Sequence, residues 1–544
     1  MCILKNQCHD IGYGAAMAYF FILFFHIRYL FVSLQAISIK SETPEMNKKI
    51  TILSLCFALS VCLSTYADER PSRVGDKLTA PLKSVGSPRV PVVLVAFSDL
   101  SFSVAESDEQ IHLFFDLFCN GTRDGNLYKD AGSYGSVRDY FAEQSDSIFT
   151  PEFIVIGPVV LSDSYAYYGR NSGSAKDVNI RSFYTEALAL AQDLYPNWND
   201  FDNDGDGTVD MAYFIYAGEG ENGSSDTNTI WPKEMQTPIS INGLRFACYA
   251  CCNETYKGEC DGIGVMCHEL SHALGLPDFY DTNYVAYGLD YWDLMDSGCY
   301  CLGSYHPCGY SAYERDFMGW RRLQVLTRDK LQHITLYPMS EGGVGYKIVN
   351  PENQNEYYVI ENRQNTGWDA YIGRGSANVK RHGLIVSHID YLRSRWTSNS
   401  VNTDPKHQYY TIIPADGSLY SYMDVATQDQ YNRWSQSASS DPFPGLGSVA
   451  ALLSDKQPIY TSAGSMRQPL TAITEHTDGS ITLTICDFAD VNGDGEADTQ
   501  DVLNVYDYIQ SGAEMKPGQP HDVNADLNID TQDVLQIYES MQNF

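Results

Sequence analysis

Residues 268–278 read His-Glu-Leu-Ser-His-Ala-Leu-Gly-Leu-Pro-Asp. A metal ion needs its ligands on one side of a small space, so the fold must bring the polar side chains of this stretch together there. His268 and His272 are four residues apart, so on a helix both imidazoles project from one face. Two neutral imidazoles at this spacing suit a zinc ion. Glu269 can reach a water molecule beside that ion without binding the metal itself.

The residues after the second histidine favour a turn back toward the metal. Gly275 permits a sharp exit from the helix, and Pro277 prevents the helix from continuing. Asp278 can then serve as the third ligand, which leaves one position open for water, as in catalytic zinc sites. Alternative third donors in the following loops are Asp281, His306 and Glu314.

A second element, Tyr-Trp-Asp-Leu-Met-Asp-Ser-Gly at 291–298, follows the motif. Met295 in a tight turn can form an apolar floor under the three ligands, although a lone methionine is more often an ordinary core residue. Together the two elements follow the metzincin pattern, with an aspartate in place of the more usual third histidine. Tyr300 is a candidate to stabilise an oxyanion near this turn.

Five further stretches extend the similarity beyond the motif, at residues 92–99, 136–141, 166–169, 357–364 and 383–390. With them, the chain from about residue 90 to residue 486 resembles the immune inhibitor A type of bacterial metallopeptidase. The resemblance implies that His268, His272 and Asp278 bind zinc and that Glu269 is the general base.

Length and charge limit the class of protein. A chain of 544 residues is too long for one core and should form several domains. Lys and Arg number 36 against 69 Asp and Glu, and the net charge of −33 argues against nucleic acid or an anionic membrane as partner. Much of the acid lies in Asp-rich loops, so calcium is the expected counter-ion.

The N terminus carries a predicted secretory signal. From Met46 a basic start leads into an apolar run at 50–63 and then into small residues that end at Ala67, the expected cleavage site. We therefore predict that Met46 is the true start and that the mature protein is a secreted or cell-surface bacterial protein without a membrane segment. The alternatives are lipidation at Cys62 and a membrane helix at 15–37.

Hydrophobic periodicity indicates the order of the elements. We predict strands at 92–97 and 211–217 and helices at 182–194 and 262–274, followed from about 326 by short strands between turns. The predicted fold is multidomain: residues 1–67 are an N-terminal extension plus signal peptide, 68–89 a leader or linker, 90–325 an α+β metzincin-like zinc peptidase domain, 326–486 a β-sandwich-like all-β domain, and 487–544 a small helical calcium-binding module.

Eight cysteines lie between Cys248 and Cys308, around the metal motif. In an exported protein such a cluster predicts disulfides that hold the active-site loops. The alternative is a second, structural zinc site, for which the candidate ligands are Cys248, Cys251, Cys252 and Cys260. His388 lies in a predicted strand, where a structural role is expected.

An acidic loop at 202–210 places oxygen donors at alternating positions, as calcium requires. The candidate ligands are Asp202, Asp204, Asp206 and Asp210. Tyr213 stands where the last acidic ligand of such a loop would be, and the alternative is a solvated acidic turn. A calcium ion here would brace the strand that follows.

A second kind of acidic loop occurs twice near the C terminus, at 490–501 and 522–533, each time before a helical pattern. Both copies place oxygen donors at calcium-ligating positions. In the first copy they are Asp490, Asn492, Asp494, Glu496, Asp498 and Asp501. In the second copy they are Asp522, Asn524, Asp526, Asn528, Asp530 and Asp533.

The duplicated loop and helix resembles a type I dockerin. The resemblance implies two calcium ions and docking to a cohesin module, with Thr499-Gln500 and Thr531-Gln532 as candidate recognition pairs whose similarity allows two binding orientations. Leu527 departs from the pattern, because a glycine would ease the bend there. The alternative is a calcium-stabilised tail without a docking partner.

The sequence thus predicts a secreted zinc endopeptidase that acts on extracellular proteins or peptides, with one zinc ion, two calcium ions in the C-terminal module and one more at 202–210. One alternative is a zinc amidase or deacylase, because the motif determines the metal and the water but not the bond cleaved. Another is an inactive, calcium-dependent surface or scaffold-binding protein. The intact Glu269 argues against the inactive form.

Overall fold

The predicted strand at 92–97 lies in the middle of a sheet whose two faces are both covered. The computed structural model describes residues 80–123, 133–224, 226–326, 332–350, 353–374, 381–452, 469–485, 488–494, 496–513, 521–523 and 528–542. The predicted signal peptide and most of the predicted leader lie outside these residues. Within them, no helix combines the length and the apolarity needed to cross a bilayer.

The first sheet has the order β2-β1-β3-β6-β4, and its four long strands run parallel. The short strands β4, β5 and β7 pair antiparallel with β6. The bounds are β1 (Arg89–Ala96), β2 (Glu152–Val160), β3 (Val209–Glu219), β4 (Lys233–Met235), β5 (Ile239–Ile241), β6 (Leu244–Tyr256) and β7 (Glu259–Cys260).

Alternation along β1 sends side chains into two separate hydrophobic cores. Val92 and Leu94 belong to one core, and Val93 and Val95 belong to the other. A strand that is buried on both faces needs apolar residues at every position, which explains its unbroken apolar run. The sheet is therefore covered by helices on both faces, an arrangement typical of mixed α/β domains with parallel strands.

The helices of this region are α1 (Asp108–Asn120), α2 (Val137–Gln144), α3 (Tyr165–Gly169), α4 (Ile180–Leu194), α5 (Gly264–Ala273) and α6 (Ala312–Met318). Helix α4 covers one face of the sheet, and α5, which carries the metal motif, lies in the core on the other face. A Cβ atom on Gly264 would lie 1.9 Å from the carbonyl oxygen of Cys299. Glycine thus allows α5 to begin directly against the loop at 297–300.

The second region contains two further sheets. A five-stranded sheet has the order β13-β12-β11-β10-β8, and a three-stranded sheet has the order β14-β15-β9. The strands are β8 (Gln324–Val325), β9 (Gln332–Leu336), β10 (Tyr346–Asn350), β11 (Asn353–Arg363), β12 (Gly383–Asp390), β13 (Tyr410–Ile412), β14 (Leu470–Glu475) and β15 (Ile481–Ile485).

This region is not all-β, which corrects the prediction from sequence. It also contains α7 (Arg393–Thr397) and α8 (Gln428–Ser440). Helix α8 is largely polar and buries Trp434, Ala438 and Ser440. Its start is marked by Thr427, whose side chain accepts a hydrogen bond from the Gln430 amide, a helix cap that the sequence analysis did not use.

The five-stranded sheet is shared between two cores. Tyr357 and Val359 on β11 pack into the core around the metal motif, whereas Tyr358 and Ile360 pack against the three-stranded sheet. Two sheets therefore share a core in this region, and the wider β-sandwich assignment stays a prediction. The domain boundaries also stay predictions, because the core around the motif continues past residue 326.

The C-terminal module contains two helices, α9 (Thr499–Ser511) and α10 (Thr531–Gln542), that pack on a small valine-rich core. Asp498 caps α9 and forms a reciprocal capping box with Asp501. The predicted calcium ligands Asn524 and Asp526, and Leu527, lie outside the described residues.

Candidate metal centre

Helix α5 places His268 and His272 on one face, and the backbone around them orients both rings. His268 Nδ1 lies 2.9 Å from the carbonyl oxygen of Leu294, and His272 Nδ1 lies 2.8 Å from that of Leu276. A carbonyl oxygen can only accept, so each Nδ1 carries a proton and donates it. In the neutral ring this leaves the Nε2 lone pair free to bind a metal.

The turn after α5 brings Asp278 to these two nitrogens, as the sequence predicts. Gly275 has φ +101°, a conformation that residues with a Cβ rarely adopt. Asp278 Oδ1 lies 3.1 Å from His268 Nε2 and 3.2 Å from His272 Nε2. Ligand atoms of all three side chains lie within 4.8 Å of one another.

Asn399, which is distant from Asp278 in the sequence, forms two hydrogen bonds with it. Its Nδ2 donates to Asp278 Oδ2 at 2.6 Å, and its Oδ1 accepts from the Asp278 amide at 2.7 Å. Asn399 follows α7 in the second region, so a residue 121 positions away determines the orientation of the predicted third ligand. No motif in the sequence pointed to Asn399.

The donor set fits a zinc ion. Three acceptor atoms this close repel one another unless a proton or a cation lies among them. Burial lowers the pKa of His272, but the charge of Asp278 and its hydrogen bond raise it to about 10. Burial would raise the pKa of Asp278, but the charges of the two imidazoles hold it well below its usual range. Two imidazole nitrogens and one carboxylate oxygen are ligands that zinc favours.

Glu269 lies next to the first histidine and is itself buried. Burial raises the pKa of its carboxyl to about 7, against the opposing charges of His268 and His272. A carboxylate with a pKa near neutrality can both take and return a proton.

The turn that contains Met295 is tied to the metal motif through its backbone. The carbonyl of Leu294 accepts from His268, and the carbonyl of Met295 accepts from the Phe279 amide at 2.9 Å. Asp293 Oδ1 in turn accepts from the Met295 amide at 2.8 Å. Met295 is fully buried in the core beside α5.

Two cavities adjoin these residues and share part of their walls. The larger cavity, of about 790 Å³, is rich in tyrosines, and the smaller, of about 480 Å³, is more polar. His268, Glu269 and Tyr280 line both cavities. Tyr280, two residues after the predicted third ligand, was not singled out from the sequence, whereas the predicted Tyr300 lines the larger cavity only.

The alternative donors are occupied elsewhere. Asp281 Oδ2 accepts from the amides of Val285 and Ala286. Glu314 Oε2 accepts from the Ser311 amide and caps α6. His306 Nε2 bonds the carbonyl of Gly367 at 2.7 Å. His388 pairs with Glu356 at 3.0 Å within the five-stranded sheet, away from the three converging side chains.

The predicted disulfides are wrong for the cysteines that the structure describes, since no disulfide joins any two of them. Most of these thiols are buried as core residues. Cys248 and Cys252 on β6 face the core around α5, whereas Cys251 faces the opposite core. Side chains on opposite faces of one strand cannot surround one ion, so the alternative zinc site is also not formed by this set.

The loop at 202–210 gathers some of its predicted ligands. Ligand atoms of Asp202, Asp204 and Asp210 lie within 4.8 Å of one another. Asp206 is not in this group, and its Oδ1 accepts from the Thr208 amide at 2.8 Å.

Both C-terminal loops bury carboxylates at their first and last predicted ligands. These are Asp490 and Asp501 in one copy and Asp522 and Asp533 in the other, all fully buried. Burial raises the pKa of Asp501, and the nearby Asp490 adds to this. Pairs of buried acids are costly without a cation.

Comparisons with known proteins agree with this geometry. Residues 84–323 match the immune inhibitor A peptidase M6 catalytic domain, and residues 488–541 match the type I dockerin domain. The chain is similar to the pre-pro-metalloprotease PrtV of Vibrio cholerae, with 28% identity over 294 residues that cover 45% of this chain and 32% of that protein. Immune inhibitor A of Bacillus thuringiensis is 24% identical over 289 residues that cover 45% of this chain and 42% of that protein.

This chain thus spans less than half the length of each of these relatives. The converging histidines and aspartate lie inside the first matched range, and the duplicated acidic loops lie inside the second. The resemblance identified from the motifs is confirmed within residues 84–323 and 488–541, and its extension from 324 to 486 stays a prediction. The chain is therefore similar to the immune inhibitor A peptidases over residues 84–323 and to type I dockerins over residues 488–541.

Proposed function

We propose that the chain is a secreted zinc endopeptidase. The observation that carries the proposal is the convergence of His268, His272 and Asp278 beside Glu269 on the floor of a cleft. Two cavities share His268 and Glu269 in their walls, which leaves room for a substrate that extends beyond the scissile bond. The name of one relative, a pre-pro-metalloprotease, and the match to a peptidase catalytic domain support the same reaction.

The two histidines and Asp278 would hold the zinc ion, which when bound acts as a Lewis acid toward water and toward a carbonyl oxygen. Glu269 takes the proton from the attacking water and passes it to the leaving amine. Its burial and its pKa near neutrality suit both transfers.

Tyr280 is the better placed residue for the oxyanion. Burial, reinforced by the charge of Asp278, raises the pKa of its hydroxyl well above the usual range, so the group stays a proton donor at neutral pH. It lines both cavities together with Glu269, and Tyr300 does not. Tyr280 would donate to the oxygen on which negative charge develops.

Calcium would have separate, structural tasks. Two ions would fill the loops at 490–501 and 522–533 and compensate their buried carboxylates. A third would lie among Asp202, Asp204 and Asp210, at the entry to β3.

The dockerin domain would attach the enzyme to a cohesin-type module. The two helices expose matched apolar residues, with Leu503 52% and Leu535 51% exposed, and Tyr506 and Tyr538 beside them. The leucines lie about one helical turn, and the tyrosines about two turns, after Thr499-Gln500 and Thr531-Gln532, the predicted recognition pairs. The near identity of the two faces would permit two orientations on the partner.

Hydrolysis of casein and gelatin by the purified protein, with and without a zinc chelator, tests the proposal. Cleavage that stops with the chelator and returns with zinc is expected. Glu269→Ala should retain zinc but lose at least about 1,000-fold in rate. Cleavage of simple amides alone would favour the amidase. A zinc-loaded protein that cleaves neither class of substrate would favour the inactive binding protein.

A further inference from the structure

The larger cavity beside Glu269 contains a cation whose charge is not neutralised by a carboxylate. Arg374 lines this cavity and is half-buried. Its guanidinium carbon lies 4.2 Å from the ring centre of Tyr422 and 5.3 Å from that of Tyr291. Its Nη1 is buried and has no hydrogen-bond partner. Among the described residues, no carboxylate oxygen lies within 4.0 Å of it.

The backbone of Arg374, which carries this guanidinium, has a constrained conformation. Arg374 has φ +54°, in the left-handed region that a residue with a long side chain rarely adopts. Its carbonyl accepts from Arg381 Nη1 at 2.8 Å. The remaining donors of Arg381 are bonded to Gly373, Ser435 and Ser439. Arg381 thus supports the loop and has no donor left for a ligand.

The aspartates around the same cavity already accept hydrogen bonds from other groups of the protein. Asp281 and Asp296 both accept from backbone amides, Asp296 from Leu289 and Asp290. Glu259 is exposed on β7. Asp290, under the aromatic wall, accepts from the Tyr422 amide and from Trp434 Nε1.

Part of the wall around Arg374 comes from outside the matched catalytic domain, whereas Tyr291 lies within it. Tyr422 precedes α8 and Tyr431 lies on it, beyond residue 323. The second region therefore completes the substrate cleft, and the match to the family carries no information about what this part of the cleft recognises.

We propose that this cavity receives an acidic side chain of the substrate, glutamate or aspartate, whose carboxylate pairs with Arg374. A guanidinium presents a planar pair of donors that matches a carboxylate, and the aromatic surroundings exclude the water that would weaken the pair. A buried N–H without a partner is costly, and a substrate carboxylate removes that cost. This inference rests on the proposed endopeptidase function.

The test uses pairs of quenched fluorescent peptides that differ only by glutamate or glutamine at one position near the scissile bond. The ratio of kcat/KM values is measured at 0.15 M salt, so that the net charge of the protein does not dominate. At one position we expect a ratio of roughly 10 to 100 in favour of glutamate. Arg374→Met should bring that ratio to about one, and Arg374→Lys should keep part of it.

Lys257→Met is the matched control, because it removes an exposed cation from the rim of the same cavity. It should leave the ratio unchanged. A ratio near one at every position of the wild-type protein would overturn the inference. An unchanged ratio in a folded Arg374→Met protein would also overturn it. If that variant does not fold, the wild-type ratio and Arg374→Lys still decide.

Binding separates this inference from the proposed reaction. Labelled peptides of both kinds are titrated against zinc-loaded Glu269→Ala, which does not need to turn over. Tighter binding of the glutamate peptide that Arg374→Met abolishes supports the inference even if the wild-type protein cleaves no peptide, in which case the proposed hydrolysis fails. Equal binding of both peptides overturns the inference.

Discussion

At the scale of single residues, the sequence motif predicted the candidate ligands but not Asn399, which hydrogen-bonds to one of them. His268, His272 and Glu269 follow from helical spacing, and Asp278 from the glycine turn, because these geometries are local. Asn399 could not be found in this way, since its contact with Asp278 depends on how the second region packs on the first.

Asn399→Ala should weaken zinc binding by roughly 10- to 100-fold, because Asp278 loses the hydrogen bond to its carboxylate and the one that its amide donates. Competition with a chromophoric chelator measures the affinity. Thr397→Ala is the control. Thr397 lines the smaller cavity together with Asn399, and its hydroxyl donates to carbonyl oxygens of its own helix. Equal affinities for all three proteins would show that Asn399 does not orient the ligand.

His306 should make the fold sensitive to acid. Burial lowers its pKa to about 4, against 6.5 for an unperturbed histidine. In the unfolded chain His306 is therefore protonated below about pH 6.5, whereas in the folded chain it is protonated only below about pH 4. The stabilisation is complete above pH 6.5, and up to about 3 kcal/mol of it is lost as the pH falls to 4.

His306→Phe should reduce this loss, because its ring can still stack on Tyr134 but carries no titrating group. Urea unfolding at pH 7 and pH 4.5 gives the free energies of unfolding. His333→Phe, at an exposed position on β9, serves as control and should leave the difference between the two pH values unchanged. The same pH difference in wild type and His306→Phe would contradict the assignment.

At the scale of elements, the apolar pattern of the sequence was sufficient to predict several helices and strands of the first region. Helices α4 and α5 and strands β1 and β3 lie within a few residues of their predicted bounds. Helix α8 was missed because its sequence is largely polar and few of its residues are buried, so only its cap marks it. The described cysteines form no disulfide although most of them share one core, so the composition of the region alone did not predict their state.

Removal of calcium should unfold the dockerin domain and leave the peptidase core folded. Four fully buried carboxylates in its two loops would repel one another without the cation. Calorimetry of the full chain should show a separate transition in calcium that disappears with a chelator and in the double variant Asp490→Ala, Asp522→Ala. Asp507→Ala, exposed on α9, should retain it. A transition that is the same with and without calcium would argue against both ion sites.

At the scale of the whole molecule, the catalytic domain should not be stable without the second region. The core around α5 includes, from beyond residue 326, the buried residues Trp368, Ile372, Ile385, Ile389, Trp396, Tyr410 and Ile412. At about 1.5–3 kcal/mol for each buried side chain, their loss removes more than about 10 kcal/mol, comparable with the entire stability of a domain. This shared core could not be predicted, because strand patterns do not reveal which partner covers each face.

Residues 68–326 alone should therefore show no cooperative thermal unfolding, whereas residues 68–485 should unfold cooperatively and bind zinc. Circular dichroism and metal analysis of the two fragments make the comparison. Cooperative unfolding of the shorter fragment with full zinc affinity would mean that the second region is dispensable for the site.

The central claim is that one zinc ion is held by His268, His272 and Asp278. X-ray absorption spectroscopy at the zinc edge of the purified protein tests it most directly. The account predicts nitrogen and oxygen neighbours at about 2.0–2.1 Å, with the signature of two imidazoles and without sulfur. Sulfur neighbours at about 2.3 Å would place the metal on the cysteines and contradict the account.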